Sequence, residues 1–517
     1  MNKIKMLLTT FVLLLCGTTV NAYDFEVNGL YYAVNSEKEK TVAVTWNPLD
    51  PTGYIGTLTI PKSVEHNGKT YSVTIIGWKA FRDCTNLTEI NLPQTITEIG
   101  EDAFHNTGWW NNQPDGPIYI GDYFLKYKGG CPTNIELKDG TKVIADGAFG
   151  YCSHITNVRF PESLITIGSE SFIGCAGLTQ IEFPSSLTTI GIMAFRECTG
   201  LTKINIPNSV KWIWEDAFFD CSNLTDINIP NDIRVISGSS FGNTPWMNSQ
   251  PDGLVYAGDC LLCYKGDAPT GVLNIKEGTR IIANQAVWGS NISSVNIPNS
   301  VEIIGTHAFS TCRKLSSIII PKSVKHIDLG AFSNTGLTSM IVKEENPVYD
   351  SRENCNAIID TETNTLITGC GKTIIPNSVT TIGDWAFYNC GKLYNLTIPN
   401  SVKYIGRDAF WGCTNCRELA VASTIPPTAS NEAFTNLYKQ TILKVPVGSL
   451  AAYQTDEVWS KFQNIQESPA LTIDTPIRNT TNNTAPIYNL QGVQMKAGKE
   501  AIPTGIYLQG GKKMIIR

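Results

Sequence analysis

A 23-residue period sets what this chain can fold into. Counted from the aromatic of an Ala-Phe or Ser-Phe pair, copies fall at Phe81, Phe104, Phe149, Phe172, Phe195, Phe218, Phe241, Phe309, Phe332, Phe387, Phe410 and Phe434, with Val287 in the same slot. Five residues earlier each copy up to Phe410 carries Ile, as in Ile99, Ile167, Ile190 and Ile213. After the aromatic come a Leu slot (Leu201, Leu224), an alternating stretch such as Ile204-Asn205-Ile206-Pro207, and Asn-Ser-Val. Ile-x-Ile reads as a short strand with one buried face, and Pro ends it because it cannot donate to a ladder. One copy cannot bury its own apolar side, whereas stacked copies share a continuous core, so the expected fold is a β-rich repeat solenoid with ~23-residue rungs.

The exceptions to the period are informative. Steps of 45 and 46 precede Phe149 and Val287, and a step of 55 precedes Phe387. The first two long segments are copies of each other, WWNNQPDGPIYIGDYFLKYKG (109–129) and WMNSQPDGLVYAGDCLLCYKG (246–266), each with a Pro-Asp-Gly turn ahead of an alternating strand. The expected layout is a signal peptide (1–22), an N-terminal β cap (23–70), the solenoid (71–437), a C-terminal cap with an amphipathic helix (438–468), a linker (469–486) and a small β module (487–517). Leu450, Tyr453, Trp459, Phe462 and Ile465 supply the helical spacing of that cap. Lys3 and Lys5, the apolar run from Met6 to Leu15 and the small-residue end at Ala22 make up the signal. Lipidation of Cys16 is the alternative, against which stands bulky Leu15 where a small residue is needed.

The pattern Leu-x-x-Ile-x-Ile-Pro-x-Ser-Val-x-x-Ile-Gly-x-x-Ala-Phe-x-x-Cys resembles the BspA-like leucine-rich repeats of secreted and surface bacterial proteins, over about residues 23 to 468. That resemblance implies a leucine-rich-repeat solenoid with binding or adhesion roles and no enzymatic activity. The last 31 residues, with Pro503-Thr504-Gly505-Ile506-Tyr507 and a final Lys-rich strand, look like the C-terminal sorting modules of the type IX secretion route.

Three residues past the aromatic stand Cys84, Cys152, Cys175, Cys198, Cys221, Cys312, Cys390 and Cys413, and Thr107, Thr244, Thr335 or Ser290 fill the same slot elsewhere. Thr does not replace a zinc ligand or an obligatory disulfide cysteine, so the ladder reads as a small buried position and all eight are expected to remain free thiols. Cys413-x-x-Cys416 and Cys260-x-x-Cys263 lack a second ligand pair, and no metal or other cofactor is expected. A disulfide is expected elsewhere: if Asp360 faces Thr365 in a hairpin, the register sets Cys355 opposite Cys370.

No catalytic residues emerge. Gly238-Ser239-Ser240-Phe241-Gly242 matches the nucleophile-elbow letters, but Ser240 fills the slot of Ala103 and Ala217 and reads as buried. The five histidines lie on different rungs. Net charge is −6, which favours no nucleic-acid partner, and past the signal no run of ~20 apolar residues could cross a membrane. The expected function is an exported or cell-surface protein that binds host or bacterial surface proteins through outward strand residues such as Lys203, Asn205, Asp226 and Asn228. A glycan-binding module of a nutrient-uptake system is the alternative, with paired exposed aromatics as its mark. Trp212 and Trp214 are the candidate contact residues. Both flank inward Ile213 and so project away from the core, and at the Trp214 place seven copies carry Gly (Gly77, Gly100, Gly168, Gly191, Gly305, Gly383, Gly406).

Overall fold

The computed structural model describes residues 23–36 and 39–471, and beyond them the strands Ile487–Asn489, Gln494–Met495, Gly505–Gln509 and Lys512–Ile516. The signal segment with Cys16, and residues 472–486 of the linker, lie outside the described residues. Most regular repeats form one rung with two short strands; the rung after Phe172 has only the second, Thr189–Ile190. In a two-strand rung these are, for example, Lys203–Asn205 and Trp212–Ile213. Both pair in parallel with their equivalents one period on: Ile204 lies beside Ile227, and Ile190, Ile213 and Ile236 stand in one row. Those isoleucines are buried, apart from half-buried Ile227. The aromatics stack along the axis as well. Phe149, Phe172, Phe195, Phe218 and Phe241 are nearly parallel in succession, with centroids 4.9, 5.1, 5.3 and 5.7 Å apart.

The corner carrying the aromatic is held by backbone rather than by sheet. Residues two before, at and two after Phe172 donate N–H to the next rung: Glu170 to Ile192 O (2.7 Å), Phe172 to Ala194 O (2.8 Å) and Gly174 to Arg196 O (2.8 Å). Turning every second N–H the same way requires left-handed backbone on both sides of the aromatic. Glu170 and Gly174 have φ of 54° and 68°, Met193 and Glu197 54° and 60°, Asp216 and Asp220 55° and 60°. Such a conformation costs a non-glycine residue about 1–3 kcal/mol, which the cross-rung hydrogen bonds offset.

The cysteines complete this corner. Cys175, Cys198, Cys221 and Cys413 each donate S–H to the carbonyl of the preceding rung's aromatic, Phe149, Phe172, Phe195 and Phe387, at 2.9–3.2 Å. Cys312 does the same to Val287 O at 3.2 Å. A stack that stops leaves its last aromatic carbonyl without a following cysteine, and there Thr takes over within the same rung. Thr107, Thr244 and Thr335 donate to Phe104 O, Phe241 O and Phe332 O at 2.9, 2.7 and 2.8 Å. Thr107 and Thr244 also accept the N–H of Trp110 and Met247, capping the short helices Gly108–Asn111 and Pro245–Ser249. These three rungs precede the three long steps of the sequence.

Within each long step an antiparallel hairpin restarts the ladder: Gly116–Ile120 with Tyr123–Lys128, Gly253–Ala257 with Cys260–Lys265, and Ala357–Asp360 with Thr365–Gly369. The second strand of each then pairs in parallel with the next rung. The two copied segments build the same details, since Lys128 Nζ and Lys265 Nζ reach the carbonyls of Gln113 and Gln250 in both. Every restarting rung carries Asp or Asn three residues before its aromatic slot. Asp146, Asn284 and Asp384 accept the N–H of Ser169, Thr306 and Arg407 in the following rung, at 2.6, 3.0 and 2.7 Å.

Three expectations are corrected. Cys152 is not free: it is bonded to Cys131, Cα–Cα 6.2 Å, in the segment leaving the first hairpin. Thr107 already serves Phe104 O, so the cysteine of the restarting rung has no ladder carbonyl to bind and is released to pair. Cys355 and Cys370 are both free and buried, because the hairpin contains a bulge. Asp360 faces Thr365 and Ile359 faces Leu366, but Ile358 then faces Thr368 and Ala357 faces Gly369. The slip sets Cys370 against Asn356, whose carbonyl accepts its S–H at 3.2 Å. The C-terminal cap helix ends after six residues, Leu450–Thr455, as Asp456 turns extended and accepts the N–H of Val458 and Trp459; Ile465 sits on a strand. Trp459 and Phe462 cover Phe434, the last ring of the ladder, at 4.6 and 5.3 Å. Beyond the linker the four strands form one antiparallel sheet, with residues 510–511 between the last two.

Two predictions follow from this geometry. Burial, followed by the Glu98 charge, pushes the Asp146 carboxyl well above its usual range. A carboxyl raised by folding stabilises below its unfolded value of about 4 and loses that contribution as pH rises through the folded value. Asp146→Asn, which copies Asn284, keeps an acceptor for Ser169. Its melting point should match the parent near pH 4 and exceed it by about 2–4 °C at pH 7.5; an equal or lower value at pH 7.5 contradicts the assignment. The second concerns the thiols. Burial pushes Cys175 and Cys221 up to about 12 and Cys198 well above its normal value, so little thiolate exists to exchange with the Cys131–Cys152 bridge. Non-reducing peptide mapping should find Cys175, Cys198, Cys221, Cys312 and Cys413 alkylated only after unfolding, and any link among them contradicts the hydrogen-bond role.

Candidate functional site

The candidate tryptophans sit where the rung geometry is under most pressure. Trp212 lies beside Thr189 and Val235 in the row of two-residue strands, and both indoles are half-buried, without ring contacts among the described residues. The Trp214 place favours glycine for a steric reason. A Cβ added at Gly191 would come within 2.5 Å of Ser169 N and 2.6 Å of Gly168 C, the backbone of the preceding rung, and at Gly168 it would meet Ile144 O at 2.6 Å. Trp214 carries that Cβ, and the rungs part. Its N–H reaches Ile190 O at 3.1 Å, whereas Gly168 and Gly191 reach theirs at 2.9 and 2.8 Å. Ring spacing behaves alike: 4.9, 5.1 and 5.0 Å where the incoming rung has Gly168, Gly191 or Gly406, and 5.3, 5.7, 5.7 and 5.4 Å where it has Trp214, Ser237, Asp328 or Ser430. The pairs Phe81–Phe104, 5.5 Å apart despite Gly100, and Phe124–Phe149, 4.7 Å apart although Ala145 carries a Cβ, do not follow this rule.

Other aromatics are more exposed than these two. Trp46 and Trp78 are 42% and 59% exposed and follow paired residues Val44 and Ile76 on neighbouring rungs, with Lys79 Nζ 3.8 Å above the Trp78 ring. Sequence reading missed them because Trp46 lies in the N-terminal cap, outside the regular repeat. Trp385, Tyr388 and Trp411 make a second group, stacked at 4.5 and 4.8 Å. Their inner faces lie against one another, and His307 stands 5.4 Å from the Trp385 ring.

The outward rows of the three-residue strands are polar and largely paired within the protein. Lys203 meets Asp226 at 2.7 Å, Asn228 donates to Asn205 at 2.7 Å, and Arg159 meets Glu136. Further along the same rows Ile319 and Ile341 lie side by side, both about half exposed, next to Ser317 and Ser339. Two shallow depressions lie at breaks in the stack, around Phe332 and Phe387 and around Phe104 and Ala145. The remaining sequence candidates are placed as follows. Ser240 is fully buried and its hydroxyl donates to Trp214 O at 3.0 Å. Cys413 and Cys416 are buried, with S–H donated to Phe387 O and Glu418 O. Cys260 is buried and Cys263 half-buried on one hairpin strand. Among the described residues no group of three or more His, Cys, Asp and Glu side chains is placed to hold a metal ion, and no helix is long and apolar enough to cross a membrane.

If Trp214 strains the rung spacing, Trp214→Gly should relieve it. The variant should melt within about 2 °C of the parent, although removing a core Trp side chain ordinarily costs about 3–5 kcal/mol. A loss of that size measured by chemical denaturation would show that the indole stabilises the fold.

Comparison with known proteins is consistent with this architecture. Among curated proteins none matches. Solved structures that align include a leucine-rich repeat protein from Bacteroides ovatus ATCC 8483 (19% identity, 86% of this chain and 100% of that one, TM-score 0.24). A leucine rich cell surface protein from Faecalibacterium prausnitzii A2-165 aligns similarly (19% identity, 86% and 96%, TM-score 0.28). At such TM-scores these structures carry no further argument. The sequence model of the BspA type leucine-rich-repeat region matches in six copies over residues 61–128, 118–248, 270–358 and 365–467. That match covers well over half of the chain, which therefore belongs to the BspA type leucine-rich-repeat family.

Proposed function

We propose that this protein is an exported or cell-surface binding scaffold whose partners are host or bacterial surface proteins. The observation that carries the reading is the division of labour within each rung: inward Ile, Phe and Cys repeat, while outward positions change from Lys203 to Asp226 to Ser317 over one unchanging backbone. A rigid surface of variable side chains, with only shallow depressions, suits a macromolecule better than a small substrate. The Cys131–Cys152 bridge supports an oxidising location. We place one contact at Trp212 and Trp214, since Trp214 stands where most rungs carry glycine and half-buried indoles are strong interface anchors. A catalytic role is no part of this reading.

The glycan reading is retained as the second one because of Trp46 and Trp78, exposed after neighbouring paired strands, although Lys79 covers one face of the Trp78 ring. A matrix-protein binding panel run beside a glycan array separates the two. Protein binding that falls at least tenfold in Trp212→Ala/Trp214→Ala, with melting unchanged, supports the first reading. Glycan binding abolished by Trp46→Ala/Trp78→Ala and unaffected by the other pair favours the second.

A further inference from the structure

We propose a second disulfide, between Cys370 and Cys390, closing the third break of the solenoid as Cys131–Cys152 closes the first. The first bridge joins a cysteine in the segment leaving a restart hairpin to the cysteine of the restarting rung. At the third break the same two roles fall to Cys370, which follows the strand Thr365–Gly369, and Cys390, three residues past Phe387. At the second break the corresponding rung carries Ser290, and the segment leaving that hairpin, 266–269, contains no cysteine. Breaks in this chain hold cysteine at both places or at neither.

The neighbours of Cys370 bring it to Cys390. Gly369 donates its N–H to Ala386 O at 2.8 Å, and a Cβ on Gly371 would lie 2.5 Å from the Cβ of Lys392. Cys370 is therefore threaded along residues 386–392, and both cysteines line the same depression. Cys390 is released from the ladder, because Thr335 already serves the Phe332 carbonyl that its sulfur would otherwise bind. Its thiol is pushed up to about 12 by burial and then by the neighbouring Cys370. The sulfurs are unlinked in this structure, and Cys370 points at Asn356 O. Rotation of the Cys370 side chain gives up that weak hydrogen bond and a longer one accepted from Thr373 Oγ1 at 3.9 Å.

Closure removes two protons and two electrons from the thiols, and a small-molecule disulfide such as glutathione disulfide accepts them, leaving two equivalents of its thiol. The test uses the purified chain from residue 23 onward, reduced, then reoxidised with glutathione disulfide and mapped by non-reducing mass spectrometry. The expected result is a Cys370–Cys390 peptide beside Cys131–Cys152, persisting in Cys355→Ser, with Cys370 alkylatable in Cys390→Ser. Finding both cysteines alkylated in molecules that have closed Cys131–Cys152, or Cys370 linked to Cys355, overturns the proposal. The pairing tested on purified protein does not depend on export. Protein recovered from cells tests export separately, because there Cys131–Cys152 would also be open if the chain stayed in a reducing compartment.

Discussion

The hydrogen bond that runs forward from one corner to the next is the constraint on which the other regularities rest. It requires left-handed backbone two residues before and two after the aromatic, and it holds successive corners about one ring thickness and a half apart. At that separation a flat ring is the natural filler, so Phe stacks on Phe. The same separation leaves no room for a Cβ four residues earlier, which is why glycine recurs at positions such as Gly168 and Gly191. The aromatic carbonyl, with a lone pair left over, is met by a thiol small enough to sit behind the ring. Ring, glycine and cysteine thus share one cause.

A one-dimensional stack also has to end, and the polar substitutions record where it does. In a solenoid whose stability is a sum of rung and nearest-neighbour terms, an interface without the forward bonds is a weak link. Thr107, Thr244 and Thr335 satisfy the last carbonyl from within their own rung, and Asp146, Asn284 and Asp384 supply an extra acceptor to the rung that follows a restart. What looked like interchange of Cys and Thr in one small slot is a change in which carbonyl the side chain serves. That logic also explains why Cys152 could leave the ladder for a disulfide while Cys175, one rung on, could not.

The period, the inward isoleucines, the proline that ends each strand and the copied hairpins were legible in the sequence because each is fixed by a pattern repeated many times. What stayed hidden was set by single local events. One bulged residue, Ile367 between Leu366 and Thr368, turned a sound register argument into a wrong cysteine pair. Cys131 carried no signal, since it lies outside the repeat pattern, in the segment leaving a hairpin, and its partner is 21 residues on. Asp456 stopped a helix whose apolar spacing ran on past it. The left-handed corners were masked by Glu170, Met193 and Asp216, non-glycine residues in conformations usually recognised by glycine. Trp214 was identified as a broken rule without its reason, because the clash it provokes is with the rung before and not with anything near it in sequence.

For a binding scaffold the outward rows matter by what they leave unpaired. Between residues 136 and 228 many outward charges and amides find partners one rung away, so a ligand docking there must displace bonds such as Lys203–Asp226 and Asn205–Asn228. Exposed pairs of this kind are worth about 0–1 kcal/mol each, small individually, yet they blunt any net field that could steer a charged partner. At Ile319 and Ile341 the same rows turn aliphatic beside serines, with nothing to displace but water. Aliphatic side chains give a sugar no aromatic face, whereas they match the apolar centre of a protein interface. The change from self-paired to unpaired surface happens without any change of backbone, and on the proposed reading that is how one solenoid offers different partners different stretches of its length.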